Sequence, residues 1–196
     1  VFSFYRPTDV AISKKVGAFD PASRSEPQYL SVHGRIATRP LPLFFVRDAT
    51  ESCLGLGDAA FAAATSAFRQ WAMFDLGWIR VANPSAVIAL SQIVAVEAQS
   101  LGLWSLNLST IVDTIDASNQ FGFVYATTPD HVEEGEERFL VEISPDTGQV
   151  TYKLEAVSRP RDVMARLGLP ITRAFQRKFA IDSHKRMHQA IHRQAG

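Results

Sequence analysis

The stretch QFGFVYATTPDHVEEGEERFLVEISPDTGQVTYKLEAVS, residues 120–158, carries three runs of alternating residues separated by turn signals. Phe121, Phe123 and Tyr125 fall on one face of the first run. Glu137, Phe139, Val141 and Ile143 share a face of the second, and Val150, Tyr152, Leu154 and Ala156 a face of the third. Side chains alternate with period two along a strand, so each run predicts a strand with one apolar face. ASNQ and SPDTG are tight turns. The three strands read as an antiparallel meander with an aromatic-rich inner face.

Upstream, AVIALSQIVAVEA and LWSLNLSTIVDTID extend the meander, and LPLFFVRDATESC reads as an earlier strand. Between them GLGDAAFAAATSAFRQWAMFDLGW has helical spacing at Phe61, Ala64, Phe68 and Trp71. Asp58 suits the helix start and Gly77 its end. Downstream, Pro160 and Pro170 precede an apolar stripe of Ile171, Phe175, Phe179, Met187 and Ile191. The order is strand, helix, five or more antiparallel strands, long terminal helix. This predicts an α+β helix-grip fold, a curved antiparallel sheet wrapped on the C-terminal helix. Residues 1–40, with one strand at YLSVHGRIA, read as an extended N-terminal arm before a single domain at 41–196.

The chain has 196 residues, 46% of them hydrophobic, which suffices for a sizeable core. Net charge is zero, so no global field draws it to nucleic acid or membrane. One cysteine, Cys53, excludes an internal disulfide; packing suits it better than a nucleophile's role. No apolar run reaches membrane-span length, no signal-peptide pattern is present, and the expectation is a cytoplasmic protein. Acidic residues outnumber basic ones eleven to two over Glu97–Glu155; basic outnumber acidic nine to two over Arg159–Gly196. The basic segment either packs near the acidic one, the simpler reading, or serves a phosphate or protein partner.

Four segments carry a family resemblance: FRQWAMFDLGWIRV, GFVYATTPDHVEEGEERFLVE, EAVSRP and RLGLPITRAFQRKF. In this order they resemble the family called domain of unknown function 1990, over roughly Gly55–Ile191. The family commonly has Gly before the histidine and a Gly-Thr-Leu run upstream; this chain has Asp130 and ATTP. The family supplies no settled activity. Its element order is similar to the START and polyketide-cyclase-like superfamily, which implies a hydrophobic ligand held between sheet and C-terminal helix.

DHVEEGEERF, residues 130–139, is the chemical question of the sequence. His131 with four glutamates lacks the spacing of a zinc site, and Glu133, Glu134 and Glu136 read as a solvated loop. Glu137 falls on the apolar face, where a carboxylate needs a partner or a raised pKa. Arg159 is the first-choice partner, with His131 and Tyr125 as alternatives. Were it Arg159, Glu137→Gln would cost roughly 2–4 kcal/mol by orphaning a cation. His184, His188 and His192, spaced by four, read as a solvated helix face rather than a metal site. No sequence motif calls for a metal or cofactor.

These readings predict a pocket for a mostly apolar small molecule with one polar end. Trp71, Trp78, Phe123 and Tyr125 form its wall. Asn107, Tyr152 and Ser158 supply polar contacts, with Glu137 and Arg159 at the polar end. The alternative is a cyclase-, hydratase- or hydrolase-like enzyme using Glu137 or His131 as acid/base.

Overall fold

The computed structural model describes residues 2–19, 29–33, 41–129, 131, 133–160 and 169–194. Among these residues eight strands form one antiparallel sheet: β1 (Phe2–Ser3), β2 (Val46–Leu56), β3 (Ile79–Val81), β4 (Ile93–Ser100), β5 (Leu103–Asp116), β6 (Gln120–Thr127), β7 (Glu133–Ile143) and β8 (Gln149–Pro160). The strand order is β2-β8-β7-β6-β5-β4-β3, with β1 paired to the start of β5. Consecutive strands from β3 to β8 are neighbours, as expected of a meander joined by short turns. In the SPDTG turn Gly148 takes a φ of 68° and donates its N–H to Ser144 O, a left-handed position that suits glycine.

One face of the sheet is gripped by helices α2 (Gly57–Arg69) and α3 (Leu169–Gln194). Rows of paired residues build this face: Phe121–Val141–Tyr152, Phe123–Phe139–Leu154 and Tyr125–Glu137–Ala156. Met187, Ala190 and Ile191 of α3 and Ala64, Ala67 and Phe68 of α2 pack onto it. The arrangement is the helix-grip fold, α+β, that the element order implies. Among the described residues no helix is long and apolar enough to cross a membrane.

The opposite face is covered too, by residues expected to be extended. A nine-residue helix, α1 (Asp9–Gly17), is capped by Thr8, whose Oγ1 accepts the Ala11 N–H at 3.2 Å. Its Ile12 packs on Ile93, Ala95, Leu106 and Leu108. Leu30 and Val32 pack on Val112, Val124, Ala126 and Val157. Residues 29–33 are not a strand, and Gly34–Ala37 of the expected first strand lie outside the described residues. Carboxylates hold this segment by its backbone: Glu136 Oε2 accepts the N–H groups of Tyr29 and Leu30, both at 2.9 Å, and Asp113 Oδ2 accepts that of Val32 at 3.1 Å. Glu136→Ala therefore is expected to loosen the segment. Hydrogen exchange at Tyr29 and Leu30 should rise sharply, with a stability loss of about 2 kcal/mol.

Other local departures have physical causes. Helix α2 stops at Arg69 rather than running to Gly77. Trp71 takes the left-handed conformation, φ 57°, and a 3-10 turn follows at Ala72–Phe74. Asp58 sits in the first turn of α2 without capping it. The AVIALSQIVAVEA strand begins only at Ile93. Cys53 is exposed rather than packed. The basic C-terminal segment meets the acidic middle in part, through Arg159 on Glu134, while Arg173 pairs with Asp48, Arg186 with Asp75 and Lys178 with Asp182. Asp130 and the side chain of Ile171 lie outside the described residues.

Candidate functional site

Phe68, Trp71, Phe74, Phe123, Phe139 and Phe179 fill the centre of the gripped face with ring-to-ring contacts of 5.0–6.4 Å. The filling stops at the Tyr125–Glu137–Ala156 row. Among the described residues two cavities open there, on either side of the C-terminal helix. One, about 350 Å³, lies toward β3–β5 and is lined by Phe74, Trp78, Asn107, Tyr125, His131 and Glu133 among others. The second, about 610 Å³, lies toward β2 and β8 and includes Asp48, Leu154, Ala156, Arg173, Arg177 and His184. Glu137, Gln176 and Phe179 line both.

Glu137 is therefore the acid between the cavities. Its Oε2 accepts the Tyr125 hydroxyl at 2.6 Å, and among the described residues that is its hydrogen-bond partner. Burial pushes its carboxyl up to about 7; the Tyr125 bond opposes the rise and the charge of Glu133 adds to it. Tyr125 is pushed well above the ordinary phenol value, by burial first and by Glu137 second. The pair can share and donate a proton, and it presents a polar point in an apolar wall.

Arg159 is not the partner of Glu137. It emerges one residue out of phase, on the other face of the sheet, where it pairs with Glu134 at 2.8 Å and lies over the Phe45 ring at 5.0 Å. Strand alternation forces this, since Ala156 and Ser158 share the Glu137 face and Arg159 does not. Nor do the other glutamates form a solvated loop. Strand β7 already begins at Glu133, and Glu136 is buried. Glu133 accepts from Gln176 Nε2 at 2.8 and 3.0 Å, and burial raises its carboxyl, with Gln176 and Arg173 opposing. Arg173 Nη1 bonds both Gln176 Oε1 and Asp48 Oδ2, at 2.9 and 2.6 Å. This chain of contacts fastens the start of α3 to β7 and β2.

Of the residues singled out in the sequence, Trp78, Asn107, Tyr125, His131 and Glu137 converge on the smaller cavity. Trp78 donates its indole N–H to Asp182 at 2.9 Å, and His131 Nδ1 accepts the Glu133 N–H at 3.0 Å. Ser158 Oγ accepts from Gln176 at 3.3 Å. Trp71, Phe123 and Tyr152 are core residues instead; Trp71 donates to Ala86 O and Tyr152 bonds Ser183. His184 is not on a solvated face. Its ring nitrogens meet Thr50 Oγ1 at 2.9 Å and Ser52 Oγ at 2.7 Å, and burial, then His188, lowers its pKa. Among the described residues no three potential ligands converge on a metal position.

Glu133, Gln176, Phe175, Ser105 and Ser109 were not anticipated as lining residues. The first was legible: Glu133 is four strand positions from Glu137 and so on the same face. The serines were not. Along β5 the leucines Leu106 and Leu108 face α1, which turns Ser105, Asn107 and Ser109 toward the cavity. Ile111 continues the same phase on the gripped side, and a bulge between Ile111 and Asp113 then turns both Val112 and Asp113 to the opposite face.

A curved antiparallel sheet, a long C-terminal helix laid across it and cavities between them define the helix-grip class. Within it, the chain belongs to the family described as "Domain of unknown function (DUF1990)", whose pattern matches residues 29–186. A UPF0548 protein of Dictyostelium discoideum is 34% identical over 97% of this chain and 96% of its own length. Another UPF0548 protein, from Deinococcus radiodurans, is 30% identical over 65% and 69%. Among solved structures, an uncharacterised Rhizobium leguminosarum protein covers 76% of this chain and 95% of its own, with TM-score 0.51 and 14% identity. The di-domain ARO/CYC StfQ of the steffimycin biosynthetic pathway matches 78% of this chain and 52% of its own, with TM-score 0.50 and 12% identity. These structural likenesses concern the fold.

Proposed function

We propose that the protein binds a small, largely apolar molecule beneath its C-terminal helix, with the molecule's polar end at Glu137. The observation that carries this reading is the placement of Glu137. It lies on the apolar face, under the helix, yet opens onto both cavities. A carboxyl in such a place costs stability, and a ligand group that pairs with it would offset that cost. The cavity volumes fall in the range of small-molecule sites. Native mass spectrometry of freshly purified protein tests the reading directly. The expected result is a mass excess of one small molecule, lost on denaturation and reduced in Glu137→Gln. A protein that carries nothing, and that leaves an uncharged apolar dye such as Nile red dark, would end it.

Catalysis in the same cleft is the second reading. Its support is the Tyr125–Glu137 pair, since an acid with a pKa of about 7 is matched to proton transfer near neutrality. His131, on the same cavity wall, is the other candidate base. StfQ, as an ARO/CYC of a biosynthetic pathway, adds weight at the level of fold alone.

A further inference from the structure

The two cavities differ in charge. The larger one includes Arg173 and Arg177 in its wall. The smaller has two carboxylates, Glu133 and Glu137, and among the described residues no lysine or arginine lines it. Its remaining wall is aromatic to an unusual degree: Phe74, Trp78, Tyr125, Phe175 and Phe179 all face it. Its histidine, His131, is engaged in the wall, with Nδ1 accepting the Glu133 backbone N–H at 3.0 Å. Arg173 points to the other side of the helix, where Asp48 holds it.

The polar groups of the smaller cavity want donors. Glu137 has the Tyr125 hydroxyl as its partner, and Asn107 Oδ1 is buried with no partner among the described residues. Burial raises both Glu133 and Glu137, Glu133 against the charge of Arg173. Aromatic faces add to the same preference, because the ring quadrupole attracts a cation. Trp78 already shows this, with Lys178 Nζ of the C-terminal helix 4.6 Å from its ring centre.

We infer that the cavity between the C-terminal helix and β3–β5 selects an organic cation, a protonated amine on an aromatic or alkyl body. The ammonium group sits between Glu133 and Glu137, and the body lies against Phe74, Trp78 and Phe179. An anionic ligand of the same shape meets two carboxylates and is rejected. This inference rests on the small-molecule reading above and narrows it to one class of ligand.

The test uses three probes of one shape and three charges at pH 7.5: 2-phenylethylamine, 2-phenylethanol and 3-phenylpropionate. Binding is read from the indole N–H resonance of Trp78, identified by its loss in Trp78→Phe. The amine is expected to bind at least about tenfold more tightly than the alcohol, as a charge-assisted pair adds about one factor of ten or more. The propionate is expected to bind more weakly than the alcohol. Glu137→Gln and Glu133→Gln should each remove most of the amine's advantage over the alcohol. The wild-type series alone decides the matter if either variant folds poorly. Equal or tighter binding of the alcohol or the propionate overturns the cation inference while leaving the small-molecule reading standing. No shift with any probe at millimolar concentration overturns the inference as well, and the mass measurement then judges the broader reading on its own.

Discussion

Replacing Glu137 by Gln raises the thermal midpoint of the ligand-free protein at pH 8 and leaves it nearly unchanged at pH 5. The reason is that its partner is a hydroxyl, not the arginine that would have given the opposite sign. Burial lifts the Glu137 carboxyl from 4.5 to about 7, so between those values the folded state holds a proton that the unfolded state has released. Stability therefore falls as pH rises from about 4.5 through about 7, and the full cost is present above 7. At 1.36 kcal/mol per pKa unit that cost is roughly 3–3.5 kcal/mol, or about 6–14 °C for a chain of this size. Glutamine keeps an acceptor for the Tyr125 hydroxyl and never ionises. Glu133, raised by burial as well, leaves a smaller slope of the same sign in the variant. His184 acts oppositely: its depressed pKa removes stability as pH falls below 6.5. It does so equally in both proteins and cancels in their difference. Melting curves at pH 5, 6, 7 and 8 check this. A variant that is destabilised at pH 8 would mean that a cation reaches Glu137 after all.

The fold was legible because its signal is periodic. Phe121, Phe123 and Tyr125, and their partners on the next two strands, alternate without interruption, and the sheet keeps them on one face. The terminal helix announced itself through Phe175, Phe179, Met187 and Ile191 at helical spacing. The arm was not legible. Its helix is short, and it is stabilised by what it covers, Ile12 against four residues of β4 and β5. A short segment of weak intrinsic preference takes its conformation from such packing. The same covering hides the identity of the cavity wall. Leucines on β5 look like core for the gripped side, and only α1 on the far side turns them away. Tyr125, Glu137, Trp78 and Asn107 could be named from the sequence, because each interrupts or ends an apolar pattern. Arg159 was misplaced by one strand position. A one-residue error on a strand moves a side chain through the sheet.

The larger effect is expected at Gly135, which stands between the two cavity carboxylates. Glu133, Gly135 and Glu137 share a strand face, and the middle one has no side chain. The reason is close approach of the neighbouring strand. A Cβ on Gly135 would collide with the Val157 carbonyl oxygen and lie 2.6 Å from Ser158 Cα, both backbone atoms. Flexible side chains could give way, but paired backbone cannot without opening the β7–β8 ladder. The Gly135 N–H is also committed, donating to Thr127 Oγ1 at 3.0 Å, so the strand is held from both sides. Gly135→Ala is therefore expected to cost at least about 3 kcal/mol, at or beyond the usual range for overpacking. Gly17→Ala is the control. It closes α1, where a Cβ meets nothing within 4 Å, and its expected effect is within about 1 kcal/mol. Urea unfolding of the two variants separates them. Should Gly135→Ala keep wild-type stability, β7 and β8 can part locally, and the spacing of Glu133 and Glu137 is softer than the ladder implies. Should it unfold as expected while Gly122→Ala, whose Cβ would strike the Phe139 carbonyl oxygen, does the same, both flanks of β7 are fixed by backbone contact. The carboxylate pair then stands on a strand that cannot shift toward either neighbour. A fixed distance between charges is what recognition of a ligand charge requires.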